Sequence, residues 1–427
     1  MTEKMFFGLA IFIGCYVFIA SEKINKVAVA LSGAVLFIFL GYVSQNQAFS
    51  TYIDWNVIFL LIGMMIMMGV IKNTGLFEFI AIFLAKKARG NPKKIIIMLF
   101  IITGVFSAFL DNVTTVIVIA PISILIAVEL GISPIPFVIT QALASNIGGA
   151  ATLIGDPPNL MIGSAAGLSF LDFLKNLGVF IAITMVVCAF IVNLFFGKQL
   201  KVTNERRARI MEFKEKELIR DKSLLIYSIV VFGIFLTLLI LQEVLQLHAA
   251  TIALVAAVLL LLRARKINME NFLSNEIDWS SILFFIGLFI MVGALEEIGI
   301  IHFFSEKILD VSKGNMELTT IFIIWSSGIA SAFLDNIPFV AAMIPMIRDV
   351  SQSIGVEQAL PLWWALSLGS CLGGNGTLIG ASANIISAGI CKKSNYPISF
   401  WTFTKYGAVI TLINLLLASV FMILRYF

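Results

Sequence analysis

Long apolar segments, separated by short polar stretches, follow one another along the whole chain. Apolar runs of this length are typical of membrane-spanning helices, and the strict apolar–polar alternation of a membrane β-barrel is missing. The pattern therefore predicts an all-α polytopic membrane protein. Ten spans are predicted, at 5–20, 25–43, 54–72, 134–165, 176–197, 223–241, 246–264, 278–294, 356–389 and 404–425.

Four apolar stretches are interrupted in the middle. The stretches 94–129 and 317–351 each carry an Asp-Asn pair at their centre and are too long for one span, which predicts a re-entrant hairpin in each. The spans 134–165 and 356–389 contain glycine-rich segments, which predicts a broken helix in each. Irregular backbone at membrane depth is tolerated only where it is buried in protein or lines a cavity.

The composition excludes several classes of protein. Of the 427 residues, 60% are hydrophobic and 13% are charged, too few charges for the surface of a soluble domain. The four cysteines show no CxxC spacing, so neither a disulfide framework nor a metal cage is expected. The segment Met5 to Ala20 lacks a basic start and a cleavage site, which makes it a span rather than a signal peptide. We expect the lipid bilayer as a partner and no nucleic acid.

Basic residues are distributed unevenly between the two sides of the predicted topology. The segments 21–26, 72–94, 198–222, 263–266 and 392–405 fall on one side and carry 23 of the 29 lysines and arginines. Cytoplasmic loops are enriched in these residues. The distribution predicts a multi-pass protein of the cell (inner) membrane, with both termini outside the cytoplasm and the charged linker 198–222 inside.

The two halves of the chain repeat each other. The motif Ile53-Asp54-Trp55 recurs 224 residues later, as does the six-residue sequence 107–112, and the glycine-rich segment around 148–159 recurs after 225 residues. Each repeat, 1–197 and 223–427, holds five spans and one hairpin. An odd number places the second repeat upside down relative to the first, an architecture of secondary transporters.

The Asp-Asn pairs at the two hairpin tips are the first candidate site residues. A carboxylate at membrane depth is costly and points to function, although it can also cap the helix that follows it. Carboxylate, amide and hydroxyl oxygens can coordinate Na⁺, and a carboxylate can exchange that ion for a proton. The candidate ligands are Asp111, Asn112, Thr114, Thr115, Asp335 and Asn336, of which Asp111, Asn112, Asp335 and Asn336 form the possible Na⁺ site.

The broken helices supply the second set of candidates. Unwound carbonyls can bind cations, and the N-termini of half-helices can face anions or neutral oxyacids, although glycines in membrane helices also serve close packing. The two segments differ, because Ala381 occupies the position equivalent to Asp156 and Pro338 that of Thr114. The candidates are Asn146, Thr152, Asp156 and Asn159 in the first segment and Asn375, Thr377, Ser382 and Asn384 in the second.

Other chemistry is weakly supported. His248 and His302 lie near helix ends, and Cys371 beside the second glycine-rich break favours packing over binding of arsenic(III). An intramembrane aspartyl protease would need Gly-x-Gly-Asp, but Leu153 stands at its first position. Because no GxxxxGK[ST] motif occurs, ATP-driven pumping by this chain alone is not expected. No enzymatic activity is expected.

The motifs at the tips and breaks resemble those of the ion transporter superfamily, in the branch of arsenite permeases and D-type Na⁺/H⁺ antiporters, and most closely the melanosomal P protein-like permeases. The segments that carry the resemblance are SAFLDNVTT (107–115), IGDPPN (154–159), SAFLDNIPF (331–339) and LGGNGTLIGASAN (372–384). The resemblance implies a scaffold and a transport domain, a substrate site between tips and breaks, and often a homodimer. It implies ion and substrate roles for Asp111, Asn112, Thr114, Asp156, Asn159, Asp335, Asn336, Asn375, Thr377 and Asn384.

The hairpin tips depart from those of relatives that carry dicarboxylates. Those relatives have Ser-Asn-Thr, whereas this chain has Asp-Asn-Val and Asp-Asn-Ile. Two fixed negative charges repel a dianion unless they are protonated or covered by Na⁺. We therefore expect a Na⁺- or H⁺-coupled secondary transporter of a small inorganic ion or oxyacid, an alternating-access antiporter of the arsenite or Na⁺/H⁺ type without a cofactor. A Na⁺-coupled organic-anion (dicarboxylate or citrate) transporter and an ion channel are the alternatives.

Overall fold

The computed structural model describes residues 2–21, 23–264, 268–305 and 315–427. All regular structure within these ranges is helical, which confirms the all-α prediction. Seven helices of the described chain are long and apolar enough to cross a membrane, in agreement with a polytopic membrane protein. They are Trp55–Asn73, Asn112–Glu129, Phe170–Phe196, Lys222–Ile240, Trp279–Glu297, Met316–Phe333 and Phe400–Tyr426.

We number the helices of eight or more residues in chain order. The first half contains α1 (Glu3–Ser21), α2 (Lys26–Phe39), α3 (Trp55–Asn73), α4 (Leu76–Lys87), α5 (Pro92–Ser107), α6 (Asn112–Glu129), α7 (Ile135–Gly149), α8 (Pro157–Ala166) and α9 (Val179–Phe196). The linker contains α10 (Asn204–Glu212). The second half contains α11 (Lys222–Ile240), α12 (Ala249–Arg263), α13 (Met269–Glu276), α14 (Trp279–Glu297), α15 (Met316–Phe333), α16 (Asn336–Ile354), α17 (Val356–Gly373), α18 (Ser382–Lys393) and α19 (Phe400–Tyr426).

Short helical turns connect some of these helices. They are Gln45–Gln47, Ala48–Tyr52, Phe170–Phe173, Leu174–Gly178, Glu215–Leu218 and Gln242–Leu245. Four of the basic residues whose side of the membrane the topology predicts lie outside the described residues. They are Arg265, Lys266, Lys307 and Lys313.

The four interrupted stretches are interrupted in the structure as well. Helices α5 and α6 are separated by residues 108–111, and α15 and α16 by residues 334–335. Helix α7 is separated from α8 by residues 150–156, and α17 from α18 by residues 374–381. Asp111 and Asp335 are the residues that directly precede α6 and α16, where their side chains accept hydrogen bonds from backbone amides of the first turn. These carboxylates therefore cap helices, as the structural alternative required.

One helix, α4, falls in a stretch that the charge pattern placed in a loop. Its residues Phe77, Ala81, Ile82 and Ala85 are buried at helical spacing. The apolar part is shorter than a membrane span and ends in Lys86 and Lys87, so a search for long apolar runs passes over it.

Helix packing follows the same plan in both halves. Helix α5 packs on α7 as α15 packs on α17, and α2 packs on α14 as α3 packs on α12. Helices α17 and α15 approach closely at Gly373, where an added Cβ would lie 2.5 Å from the carbonyl oxygen of Gly328. Gly148 meets Gly104 of α5 in the same way. The glycines thus let backbones touch in equivalent places, and α7, which is buried from Pro136 to Gly149, lies in the centre of the molecule.

Candidate functional site

A central cavity of about 820 Å³ lies where the two hairpin tips meet the starts of α8 and α18. It extends from these tips to the beginnings of α2 and α14 and to the end of α3. The polar and charged residues that line it are Tyr16, Asn25, Lys26, Lys72, Asp111, Asn112, Thr114, Asp156, Ser274, Asn275, Glu276, Asp278, Ser280, Ser281, Asp335, Asn336 and Ser382.

Asp111 lies at the first hairpin tip. Its carboxylate accepts hydrogen bonds from the backbone N–H of Thr114 at 2.9 Å and from the Thr114 hydroxyl. The Thr115 hydroxyl donates to the Asp111 carbonyl at 3.0 Å. Within the described chain, Asp111 forms no ion pair, so its charge is balanced by helix-end N–H groups and hydroxyls only.

Asp335, at the second tip, has different partners. Lys26 Nζ lies 3.2 Å from its Oδ2 atom, and the Ser382 hydroxyl donates to the same oxygen at 3.0 Å. The backbone N–H of Ile337 contacts the other oxygen at 3.4 Å. The two tips are therefore alike in backbone and unlike in charge.

Asp156 lies between the tips and is 1% exposed. It occupies the position before α8, but its side chain caps no backbone amide, since the first two residues of that helix are Pro157 and Pro158, which have no N–H. Instead its carboxylate accepts from the side-chain amides of Asn112 at 3.4 Å and Asn336 at 3.3 Å. Asn112 of the first tip and Asn336 of the second tip thus both donate to the Asp156 carboxylate, which connects the two tips.

Asn146 connects the halves behind the cavity. Its carbonyl oxygen accepts from Asn112 at 3.0 Å, and its amide donates to Asn375 at 2.9 Å and to Asn384 at 3.0 Å. Asn146, Asn375 and Asn384 are fully buried. A buried amide network with satisfied partners fixes one arrangement of the surrounding backbone.

Several of the predicted ligands brace the unwound segments between the helices. Asn384 donates to the carbonyls of Gly374 at 2.8 Å and Thr377 at 3.0 Å, and Asn159 holds the first segment in the same way. The Thr377 hydroxyl donates to the carbonyl of Ala332. These side chains span the unwound segments and satisfy backbone groups that a continuous helix would have paired.

The fourteen predicted site residues divide into two equal groups. Those that line the central cavity are Asp111, Asn112, Thr114, Asp156, Asp335, Asn336 and Ser382. Those that lie behind it are Thr115, Asn146, Thr152, Asn159, Asn375, Thr377 and Asn384, and their roles as ligands stay predictions. In this structure the hydroxyls of Thr115, Thr152 and Thr377 donate to backbone carbonyls, the Asn375 amide donates to the Leu143 carbonyl, and the Asn159 oxygen accepts from the Ser367 hydroxyl.

The charges of the cavity lining do not cancel. Two lysines face five carboxylates, and both lysines are paired, Lys26 with Asp335 and Lys72 with Glu276 at 3.0 Å. Asp111, Asp156 and Asp278 have no basic partner among the described residues. A concave site with excess negative charge concentrates cations and repels anions.

Sequence reasoning missed the lysines, Glu276 and Asp278. Lys26 is the first residue of α2 and was counted only as a loop charge, and nothing local signals a partner more than three hundred residues away. Asp278 belongs to the repeated Ile-Asp-Trp motif, which could have marked it. Its carboxylate caps α14 and accepts from the Ser281 hydroxyl at 2.6 Å. Among the described residues, no three His, Cys, Asp or Glu side chains are placed to share a metal ion.

Comparison with known proteins places this geometry in context. The chain matches the family model described as "Citrate transporter" (CitMHS) over residues 16–369. An uncharacterized transporter of Mycobacterium tuberculosis is 41% identical over 98% of both chains. The P protein of Homo sapiens is 30% identical over 93% of this chain and 57% of its own length, which confirms the resemblance that the motifs indicated.

A solved structure shares the fold. The YdaH transporter of Alcanivorax borkumensis, whose crystal structure is described as having an unusual topology, superposes with a TM-score of 0.59 over 99% of this chain and 98% of its own. The sequences are 10% identical, so this likeness concerns the fold alone.

Proposed function

This chain belongs to the citrate transporter family, and from that premise we propose that it is a Na⁺- or H⁺-coupled secondary active transporter that works by alternating access. The observation that supports cation coupling most directly is the central cavity, in which Asp111, Asp156 and Asp278 have no basic partner among the described residues. Oxygen-rich sites of this kind suit hard cations and protons.

The position of the cavity also supports assigning this structure to one state of an alternating-access cycle. It reaches Lys26, Lys72 and the start of α14, which are helix ends that the distribution of basic residues assigns to the cytoplasm. We therefore interpret the structure as open to the cytoplasm, with both termini outside. The equivalent helix pairs in the two halves support inverted repeats, whose exchange of conformation would open the opposite side.

A small inorganic ion or a neutral oxyacid fits this lining better than a bare polyanion. Both lysines in the cavity are occupied by carboxylates, which leaves no free cationic group among its described lining residues to bind an anion. Charge repulsion between unpaired carboxylates and an anionic cargo would have to be offset by accompanying cations.

The family description favours a second candidate, an organic anion such as citrate. Because the lining carries excess negative charge, we propose that citrate would enter only protonated or together with Na⁺. Citrate transport that runs equally fast without Na⁺ and without a proton gradient would contradict this coupling, while an absence of citrate transport under all these conditions would contradict citrate as the cargo.

The test is a flux measurement on proteoliposomes that contain the purified protein. An imposed Na⁺ gradient should change the internal pH in the sense of Na⁺/H⁺ exchange, and Asp111→Asn should abolish the change. The matched control is Asp54→Asn, because Asp54 also caps a helix, α3, but does not line the cavity. Asparagine caps helices as well as aspartate does, so both variants should fold.

Either failure is informative. A wild-type pH change that Asp111→Asn leaves intact would refute the site. If wild type gives no pH change, cation exchange is refuted, and uptake of radiolabelled arsenite and citrate with and without Na⁺ then separates the remaining cargoes. Flux that saturates with cargo concentration supports a transporter, whereas ohmic flux supports the channel alternative.

A further inference from the structure

The two hairpin tips have the same backbone role but different electrostatic environments. Asp111 and Asp335 each precede the second helix of their hairpin and cap it. Asp335 forms an ion pair with Lys26 and accepts from Ser382, whereas Asp111 accepts from Thr114 and forms no ion pair within the described chain. Symmetry of the fold therefore does not extend to charge.

Lys26 is held in a defined position. It is the first residue of α2, which Asn25 caps at 2.9 Å from the N–H of Val27, and its ammonium lies 5.2 Å from the centroid of the Phe284 ring. Phe284 belongs to α14, on which α2 packs. The side chain of Lys26 is 36% exposed and that of Asp335 is 18% exposed, so the pair lies at the cavity wall rather than in bulk solvent.

The first tip has no equivalent lysine. The position that corresponds to Lys26 under the repeat of 224 residues is Ala250, the second residue of α12. Ala250 is buried and has no charge to offer Asp111. A lysine at only one of two equivalent positions is a difference between the half-sites that the repeat itself does not require.

We propose that Lys26 is a tethered counter-ion that fills the cation position at Asp335, so that the mobile coupling cation binds on the Asp111–Asp156 side only. Lys26 thereby sets how many cations move in each cycle. An ammonium within 4 Å of a carboxylate supplies the charge that a bound Na⁺ or proton would otherwise provide. The inference rests on the proposed cation coupling, because it assigns the coupling ion to one of the two tips.

The test counts cations bound to the purified full-length protein. Equilibrium binding of radioactive Na⁺ is measured at alkaline pH, where protons compete least, and proton uptake is measured on the same samples by difference titration against wild type. Lys26→Gln should bind one cation more than wild type, as Na⁺ or as a proton. Lys26→Arg, which retains the charge, should keep the wild-type count, and the double variant Lys26→Gln/Asp335→Asn should return to it.

The outcomes separate this inference from the proposed function. Unchanged Na⁺ and proton counts in Lys26→Gln would overturn the role of Lys26, even if Asp111→Asn loses the wild-type site. An extra cation in Lys26→Gln supports the role of Lys26 as counter-ion to Asp335, whereas an Asp111→Asn variant with the wild-type cation count would overturn the assignment of the coupling cation to the Asp111–Asp156 side. Should Lys26→Gln not give a monodisperse protein, Asp335→Asn decides: it should keep the wild-type count, and loss of one cation would overturn the inference.

Discussion

The Tyr52 hydroxyl donates a hydrogen bond to the Glu297 carboxylate at 2.6 Å and so joins the residues before α3 to the end of α14. The Tyr52 ring covers Gly293 of the same helix. In the equivalent place of the other half, Glu276 covers Gly69 and accepts from Lys72. The residue before α3 thus contacts α14, and the equivalent residue before α14 contacts α3. The two contacts occupy equivalent positions in the repeats but differ in chemistry.

Replacing Tyr52 by Phe should destabilise this junction. A hydrogen bond to a partly exposed charged group contributes about 1 kcal/mol, so the apparent Tm of purified Tyr52→Phe should fall while transport is retained. Tyr42→Phe is the control, since that hydroxyl has no hydrogen-bond partner among the described residues. Equal Tm values for Tyr52→Phe and wild type would refute the contribution.

The Tyr52 contact also carries a pH dependence. Burial, and secondly the hydrogen bond to Glu297, raise the pKa of the Tyr52 phenol above its ordinary value of 10.0. The protonated phenol is thus favoured in the folded state, so its contribution is complete below that ordinary value and declines as the pH rises beyond it. The Tm difference between wild type and Tyr52→Phe should accordingly shrink in alkaline buffer.

Gly148 should not tolerate a side chain. An added Cβ would collide with the backbone of Gly104, which cannot move without separating α7 from α5. Gly148→Ala should therefore cost about 3 kcal/mol or more, and the folded yield should drop. Gly233→Ala is the matched control, because nothing lies within 4 Å of its Cβ position and alanine favours the α11 helix. A stable Gly148→Ala protein would contradict the close approach.

The helix interruptions could be predicted from the sequence because their causes are local. An Asp-Asn pair within an apolar run caps a new helix, and paired glycines such as Gly148 and Gly149 mark a break. The family resemblance pointed to Asp156 as well. Such features need only neighbouring residues, so a single sequence carries them.

Which of the site residues line the cavity, brace the backbone or form ion pairs could not be predicted from the sequence. Asn159 and Asn384 are predicted as ligands, and no local pattern shows that their amides also brace unwound backbone. Lys26 looks like a loop charge, yet it pairs with Asp335. Which oxygens remain free depends on contacts between distant segments, and those contacts follow from the packing of helices rather than from local pattern.

Thr377 should behave as a structural residue in mutagenesis. Its hydroxyl is buried and donates to the Ala332 carbonyl, so Thr377→Val leaves that carbonyl without a donor. We expect a loss of about 1–3 kcal/mol of stability and an unchanged cation affinity in the protein that folds. Thr237→Val, on the exposed face of α11, should change neither. A fall in cation affinity at unchanged Tm would instead support Thr377 as a ligand.

The docking of the linker on α4 should depend on Lys86. Its ammonium donates to the Phe213 carbonyl at 2.8 Å and to Glu215 at 2.6 Å, which holds residues of the linker against α4. Lys86→Gln should increase amide hydrogen exchange around residues 213–218, as measured by mass spectrometry. Lys87→Gln is the control, because Lys87 is exposed and forms no ion pair in the described chain.

Acidic pH should weaken the contact between Lys86 and Glu215. The hydrogen bond from Lys86 lowers the pKa of Glu215 below its ordinary value of 4.5. The ionised carboxylate is therefore favoured in the docked state, and docking is complete above that ordinary value and weakens as the pH falls below it. After normalisation to the intrinsic amide exchange rate at each pH, exchange in the linker should rise in acidic buffer in wild type and rise less in Lys86→Gln. An identical rise in both proteins would exclude Glu215 as the titrating group.

Asp156 should be needed for transport more than for folding. Asp156→Asn keeps an oxygen that can accept from Asn112 or Asn336 but removes the charge that the two tips share. We expect the transport rate to fall by about tenfold or more, which corresponds to about 1.4 kcal/mol in the barrier, with a Tm close to that of wild type. Asp172→Asn is the matched control, since Asp172 serves a capping box outside the cavity. A wild-type rate from folded Asp156→Asn would show that the carboxylate between the tips does not bind the coupling ion.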